Sequence, residues 1–346
     1  MHILITGSAG FIGGYLSKAL MNEGHTITGL DICSNEQQAS VCNFIMGDIR
    51  DKSTLRHAMK GVNLIIHLAA KLEDFGIPRK EFFAINEGGT KNILDVASES
   101  DVKRFIFYSS VAVYGPGEAA ESGKLLPIDD YGRTKLASEK TIKAWADEDN
   151  SRMALAIRPT VVFGAHNYAN VYRLMDAVVK RKFIWIGDGS NIKSLAYVEN
   201  LVAMNLFLLN RMKPGFDVFN YSDEPYMTTR QIVEKIATYA HVPIPRRKIP
   251  LFISQLGGMA MDIASNLTGV DLPMRRVRIR KFCAQTYYKS DKIRQCGFKQ
   301  PVLLDEGLEN TVMWYLQMRE KNDTTNVTNA LSHTSPCRQN KAILPD

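Results

Sequence analysis

Short apolar runs and longer amphipathic ones alternate through the first 160 residues. "HILIT", "TITGL", "NFIM", "NLIIHL", "RFIFYS" and "ALAIRP" are brief, rich in β-branched or aromatic residues and close to continuously apolar. Strands covered on both faces look like this. Between them, "FIGGYLSKALMNEG", "DKSTLRHAMKG", "AINEGGTKNILDVASES" and "YGRTKLASEKTIKAWADED" are amphipathic and predict helices. Strand–helix alternation at this spacing predicts an α/β fold with a doubly wound parallel sheet. Past Pro159 the pattern loosens. Helices are expected around "ANVYRLMDAVVKRK", "VENLVAMNLFLLNR" and "TTRQIVEKIATYA", a strand at "DVFNYS" and a terminal helix in "PVLLDEGLENTVMWYLQMRE". The expected division is a first domain over 1–160, joined by later elements from about 190–225. A smaller mixed C-terminal lobe takes most of 161–320, and 322–346, polar and without period, reads as a disordered tail.

A chain of 346 residues, 45% hydrophobic and 23% charged, can bury a core large enough for two lobes. Cys33, Cys42, Cys283, Cys296 and Cys337 have no metal-ligand spacing and are expected to be free thiols in a reducing compartment. The N-terminus has no basic n-region and breaks its apolar run with glycines, unlike a signal peptide. No apolar run reaches membrane-spanning length, so a cytoplasmic protein is expected. Net charge is +7, and the excess lies between Arg246 and Arg294, where eleven Lys or Arg face three Asp. Nucleic acid is not the expected partner, since no aromatic stacking platform accompanies these charges.

"ILITGSAGFIGGYL" sets Gly7, Gly10 and Gly13 between the first strand and the first helix. Glycines at this spacing permit a tight turn and let backbone approach a pyrophosphate at the helix N-terminus. Asp31 ends the second strand about 20 residues on, where a carboxylate can accept both ribose hydroxyls of an adenosine. It would repel a 2'-phosphate, and no arginine follows before Arg50, so NAD is expected rather than NADP. Together the loop and the acid make the fold Rossmann-type. The P-loop pattern is absent. No metal is expected: His67 and His166 are isolated, and His67, in an apolar strand end, reads as a satisfied core histidine.

Tyr131 and Lys135 stand four apart in a helical pattern, hence on one face. An ammonium beside a phenol favours the phenolate, a base that can take a proton from an alcohol. Ser110 follows the strand "RFIFYS" and so lies at the carboxyl end of the sheet, where open α/β folds bind ligands.

Seven ordered motifs, "TGSAGFIG", "GDIR", "HLAA", "NEGGT", "SSVAVYG", "YGRTK" and "RPTVVFG", resemble the extended short-chain dehydrogenase/reductase family, in its branch of nucleotide-sugar epimerases, dehydratases and reductases. The likeness spans about residues 1–320. It implies that Gly7, Gly10, Phe11, Ile12 and Gly13 form the dinucleotide loop and that Asp48 and Ile49 flank the adenine. Leu68, Ala69 and Ala70 would line the crevice, Asn86 lie below it and Pro159 approach the nicotinamide. Ser110 would hold the substrate hydroxyl, Tyr131 act as acid/base and Lys135 hold the nicotinamide ribose. A homodimer is also implied.

The implied activity is C4 epimerisation of a nucleotide-diphosphate sugar, a UDP-hexose or UDP-N-acetylhexosamine, by transient hydride transfer. The alternatives are a 4-keto-sugar-nucleotide reductase or 3β-hydroxysteroid-type dehydrogenase, and an epimerase of a polyprenyl-diphosphate-linked sugar. The family's dehydratases carry an acid pair after the serine; Val111 and Ala112 stand there and cannot move a proton. Departures fall on the substrate side. Lys193 replaces an expected diphosphate-binding arginine, and Lys289 an aspartate. Residues 246–281 set an apolar stretch between basic clusters, which reads as a core-packing helix or as a peripheral contact with an anionic membrane.

Overall fold

The computed structural model describes residues 1–34, 43–72, 77–268 and 276–325. Five strands open the chain: β1 (His2–Thr6), β2 (Thr26–Asp31), β3 (Asn43–Met46), β4 (Leu64–His67) and β5 (Arg104–Tyr108). Then come β6 (Gly117–Ala119), β7 (Met153–Pro159), β8 (Val161–Phe163), β9 (Trp185–Ile186), β10 (Ile192–Lys193) and β11 (Leu195–Tyr197). The rest are β12 (Gly215–Tyr221), β13 (Met227–Thr228), β14 (Lys248–Ile249) and β15 (Thr286–Tyr288). Seven of them form one parallel sheet in the order β12-β7-β5-β4-β1-β2-β3. The strand order reverses between β4 and β1, which opens a crevice at their carboxyl ends. The six strands expected before Pro159 are all in this sheet, and "DVFNYS" joins it as β12.

Alternation along the strands feeds two apolar layers. Ile3, Ile5, Leu64, Ile66 and Ile106 face one side, under helices Phe11–Asn22 and Val198–Leu209. Leu4, Ile65, Phe105 and Phe107 face the other, under Lys52–Ala58, Gly89–Glu99 and Asp130–Asp147. A separate cluster around Met175, Trp185, Val233, Ile236, Leu308 and Tyr315 fills the C-terminal part. Its small sheet runs β13-β10-β15-β6.

Some elements differ from the sequence expectation. "AINEGG" does not begin a regular helix: Ala84–Gly88 is a π-helical turn before the α-helix Gly89–Glu99. The terminal helix runs on past Lys321, over Leu304–Thr325, and the rest of the expected tail lies outside the described residues. Cys33 is disulfide-bonded rather than free. Cys283 and Cys296 are free, and Cys42 and Cys337 lie outside the described residues. Nor is Leu251–Thr268 a core-packing helix. Phe252 is 65% exposed and Leu256 62%, while the buried positions among its described side chains include Ser254 and Ser265.

Candidate active site

Gly7 leaves β1 with φ +74°, a left-handed turn that side chains disfavour. A Cβ there would stand 2.6 Å from the Ala69 backbone nitrogen, so the segment after β4 closes directly on the loop. At Gly13 a Cβ would meet the Gly7 carbonyl oxygen at 2.3 Å, which lets the helix start tight against the turn. Gly10 is that helix's N-cap. Phe11 stacks edge-on with Tyr15, and Ile12 packs on the core beneath. Asp31 ties the second strand to the loop: Ala9 N donates to its Oδ2 at 3.0 Å and Cys33 N to its Oδ1 at 3.3 Å. Burial pushes this carboxyl upward, against the backbone N–H groups that hold its charged form. A glycine cradle, a helix N-terminus and a carboxylate at the next strand's end fit a dinucleotide. The Ser8 hydroxyl, fully buried and without a hydrogen-bond partner among the described residues, adds a donor inside that cradle.

Ser110 caps the short turn Val111–Val113, and its Oγ accepts from Ala112 N at 3.1 Å. Its own proton is turned to the Tyr131 oxygen. The helix bearing Tyr131 starts on this turn. A Cβ at Gly132 would lie 2.5 Å from the Ala112 carbonyl oxygen, so glycine is what lets the two elements meet. Asp129 fixes that helix start by accepting from Gly132 N at 2.8 Å. Lys135, 2% exposed, donates to the Tyr108 carbonyl at 2.7 Å and lies 5.7 Å from the Tyr131 ring centre. Serine, phenol and ammonium thus gather at the carboxyl ends of β5 and β7.

Their electrostatics differ from the sequence picture of an ammonium that lowers a phenol. Burial pushes Tyr131 up, although a hydrogen bond from Ser110 opposes it, and part of the ring stays open to solvent. Burial also lowers Lys135 to about 7, with Glu139 pulling the other way. The sign has a measurable consequence. Between about pH 7 and the unfolded lysine value the unfolded chain binds more protons, so stability rises with pH by about 1.4 kcal/mol per unit from this group. Urea unfolding at pH 7.5 and 9 should show a rise of about 2 kcal/mol in the wild type beyond that in Lys135→Met. Equal slopes in the two proteins would place the lysine's proton elsewhere.

Asn86 binds the site's elements together. Its Oδ1 accepts from Lys71 N at 2.7 Å, and its Nδ2 donates to Lys71 O at 3.1 Å and Thr134 Oγ1 at 3.0 Å. Glu139 and Arg158, which the sequence reading passed over, form a buried ion pair at 2.5 Å beneath Lys135. Ser109 Oγ donates to Glu139 Oε1 at 2.5 Å. Two signals could have found them: Glu139 continues the Tyr131–Lys135 stripe by one turn, and an arginine in "ALAIRP" requires a buried partner.

Other expected residues sit differently. Asp48 is held by Arg50 at 2.6 Å, and Ile49 turns its side chain into the core against Gly89. Leu68 and Ala69 both donate backbone N–H to Thr6 O, beside Ala70 at the crevice. Pro159 is buried at the end of β7. Lys193 donates to the carbonyls of Lys281 and Ala284, and burial lowers it to about 8. Lys289 pairs with Glu118 at 2.8 Å. His67 is a core histidine: its ring nitrogens meet Thr6 and Thr90 hydroxyls at 2.7 and 3.0 Å, and burial lowers it to about 3. Among the described residues no group of His, Cys, Asp and Glu gathers as a metal site.

The model of the NAD dependent epimerase/dehydratase family matches residues 3–222. A protein of Escherichia coli O157:H7 named N-acetyl-alpha-D-glucosaminyl-diphospho-ditrans,octacis-undecaprenol 4-epimerase is 33% identical over 330 residues, 94% of this chain and 99% of that one. A mouse (Mus musculus) protein named sterol-4-alpha-carboxylate 3-dehydrogenase, decarboxylating, is 25% identical and covered to 91% on both sides. The structure of a Thermotoga maritima UDP-glucose 4-epimerase with UDP-glucose superposes with a TM-score of 0.75 at 21% identity, over 92% of this chain and all of that one. The fold, the motifs and the family match agree, and the chain belongs to the NAD-dependent epimerase/dehydratase family, with NAD as its cofactor.

Proposed function

We propose that this enzyme is a 4-epimerase of a hexose or N-acetylhexosamine carried on a diphosphate. The carrier is a nucleotide or, in the second form of the proposal, a polyprenyl chain. The observation that supports it is the meeting of Ser110, Tyr131 and Lys135 beside the glycine cradle, with apolar Val111 and Ala112 where a dehydratase needs acids. In this reading residues 1–160, with elements from 190–225, hold the cofactor, residues 161–320 mostly hold the substrate, and the protein works in the cytoplasm as a homodimer.

Bound NAD would supply a hydride acceptor, and the sugar changes configuration without net oxidation when the 4-keto sugar turns in the site and takes the hydride back on its opposite face. The glycine loop and Asp31 would hold the dinucleotide, and Lys135 would hold its ribose. Ser110 donates to the substrate oxygen and holds it against Tyr131. The Tyr131 oxygen takes the hydroxyl proton and later gives it back. The polyprenyl form is favoured by the identity to the E. coli epimerase, which extends over nearly the whole of both chains.

A net dehydrogenase would use the same three residues, and the sterol-dehydrogenase relative keeps that reading in play. Purified protein with NAD should interconvert C4 epimers of UDP-linked or polyprenyl-diphosphate-linked sugars, seen by NMR, with no NADH accumulating. Stoichiometric NADH with a stable keto product, or turnover of a hydroxysteroid alone, would replace the epimerase with a dehydrogenase.

A further inference from the structure

Among its described side chains, helix Leu251–Thr268 carries the large apolar ones on the outside. Phe252, Ile253, Leu256, Met259 and Leu267 are 65, 47, 62, 43 and 82% exposed. At 3.6 residues per turn they share about one third of the circumference. Among the described side chains its buried positions are small: Ser254 and Ser265 are buried, and a Cβ at Gly258 would meet Ile279 Cδ1 at 2.9 Å. That glycine is where helix Arg276–Cys283 crosses, so it serves close packing. A helix of an ordinary soluble core has the opposite arrangement.

Basic residues surround this face. Arg246, Arg247, Lys248 and Arg280 are exposed, and Arg276, Arg278 and Lys281 lie on the crossing helix, while Asp262 is the one acid among the described residues of 246–283. The pair also touches the catalytic helix. Lys281 Nζ binds Asp129 Oδ2 at 3.0 Å, two residues before Tyr131, and exposed Leu126 and Ile128 precede that contact. No helix of the described residues is long and apolar enough to cross a membrane.

We propose that helices Leu251–Thr268 and Arg276–Cys283 seat the protein on an anionic membrane surface. The apolar face sinks to the boundary of headgroups and acyl chains, and the guanidinium and ammonium groups meet lipid phosphates. The Tyr131 entrance then opens at the height where a lipid-linked diphosphate would lie. That last step rests on the polyprenyl form of the proposed function; the docking does not.

The full chain is mixed, without substrate, with phosphatidylcholine vesicles with and without phosphatidylglycerol, and sedimented. Binding is expected with phosphatidylglycerol alone, weakening as salt rises. Phe252→Glu with Leu256→Glu should lower partitioning by about 10-fold or more, and so should Arg246→Glu, Arg247→Glu and Arg280→Glu together. Melting temperature and turnover of a water-soluble UDP-sugar should hold in both variants. Absence of wild-type binding, or unchanged binding in the apolar-face variant, would overturn the proposal. So would a lipid-free dimer that dissociates in that variant, because the face would then cover a second copy. Should the Glu pair unfold, Leu256→Trp reports instead. Its emission should shift to the blue and be quenched by brominated lipid, and unmoved emission counts against docking. Vesicle binding with no turnover of a polyprenyl-diphosphate sugar would keep the docking and remove the lipid-linked substrate.

Discussion

Tyr131→Phe is expected to bind NAD as the wild type does and to turn over about 10²-fold more slowly or worse, the scale of lost acid–base catalysis. The change removes one oxygen and keeps the ring that packs at the start of helix Asp130–Asp147. Neither the glycine cradle nor Asp31 depends on that oxygen, so cofactor titration by fluorescence should give an unchanged affinity. The loss should appear in kcat, since the proton moves only in the reaction. Burial holds the phenol above its ordinary value, so wild-type turnover should climb as pH rises toward the alkaline side. That limb should vanish in Tyr131→Phe. If turnover is unchanged, the base is another group and the assignment of Ser110 as its partner falls too.

What could be read from the sequence was local. Gly7, Gly10 and Gly13 announce a turn because their spacing is itself the geometry, and Asp31 follows from the length of one strand–helix–strand unit. Tyr131 and Lys135 share a face by helical period alone. Contacts between distant segments were not legible. Glu139 and Arg158 meet from a helix and a strand, and nothing near either residue names the other. Ile49 lies in the right motif, yet its side chain fills the space that Gly89 leaves, which only packing decides. The protonation of Lys135 turns on burial, which spacing does not report; a neighbouring phenol suggested the opposite balance. Helix Leu251–Thr268 is the clearest case. An apolar stretch reads alike whether its large residues face a core or solvent, and the small face around Gly258 becomes meaningful only once helix Arg276–Cys283 is seen against it.

Arg158→Met should cost about 3–5 kcal/mol of stability, whereas Arg158→Met with Glu139→Met should recover most of that loss. Both side chains are 4% exposed, and Arg158 meets both Glu139 oxygens, at 2.8 Å from Nε and 2.5 Å from Nη2. Its Nη1 donates to the Tyr114 hydroxyl at 2.5 Å, which in turn donates to Asn220 Oδ1 at 2.8 Å, so the pair ties β7 through Tyr114 to β12. Removing the guanidinium alone leaves a buried carboxylate with the Ser109 hydroxyl as its hydrogen-bond donor and its main counter-charge gone, and that loss is what costs so much. Removing both charges leaves a site of similar volume with no buried charge in it. Against a total stability of order 5–15 kcal/mol, the single change should move a urea midpoint far and the double change much less. Equal losses would mean that packing around Tyr114, not charge, carries the effect. The pair also bears on catalysis, because Glu139 lies one turn from Lys135 and works against its loss of a proton. Glu139→Gln should therefore shift the Lys135 titration further below about 7, and the pH profile of turnover should move with it. A profile that stays in place while stability falls would leave the pair a structural role only.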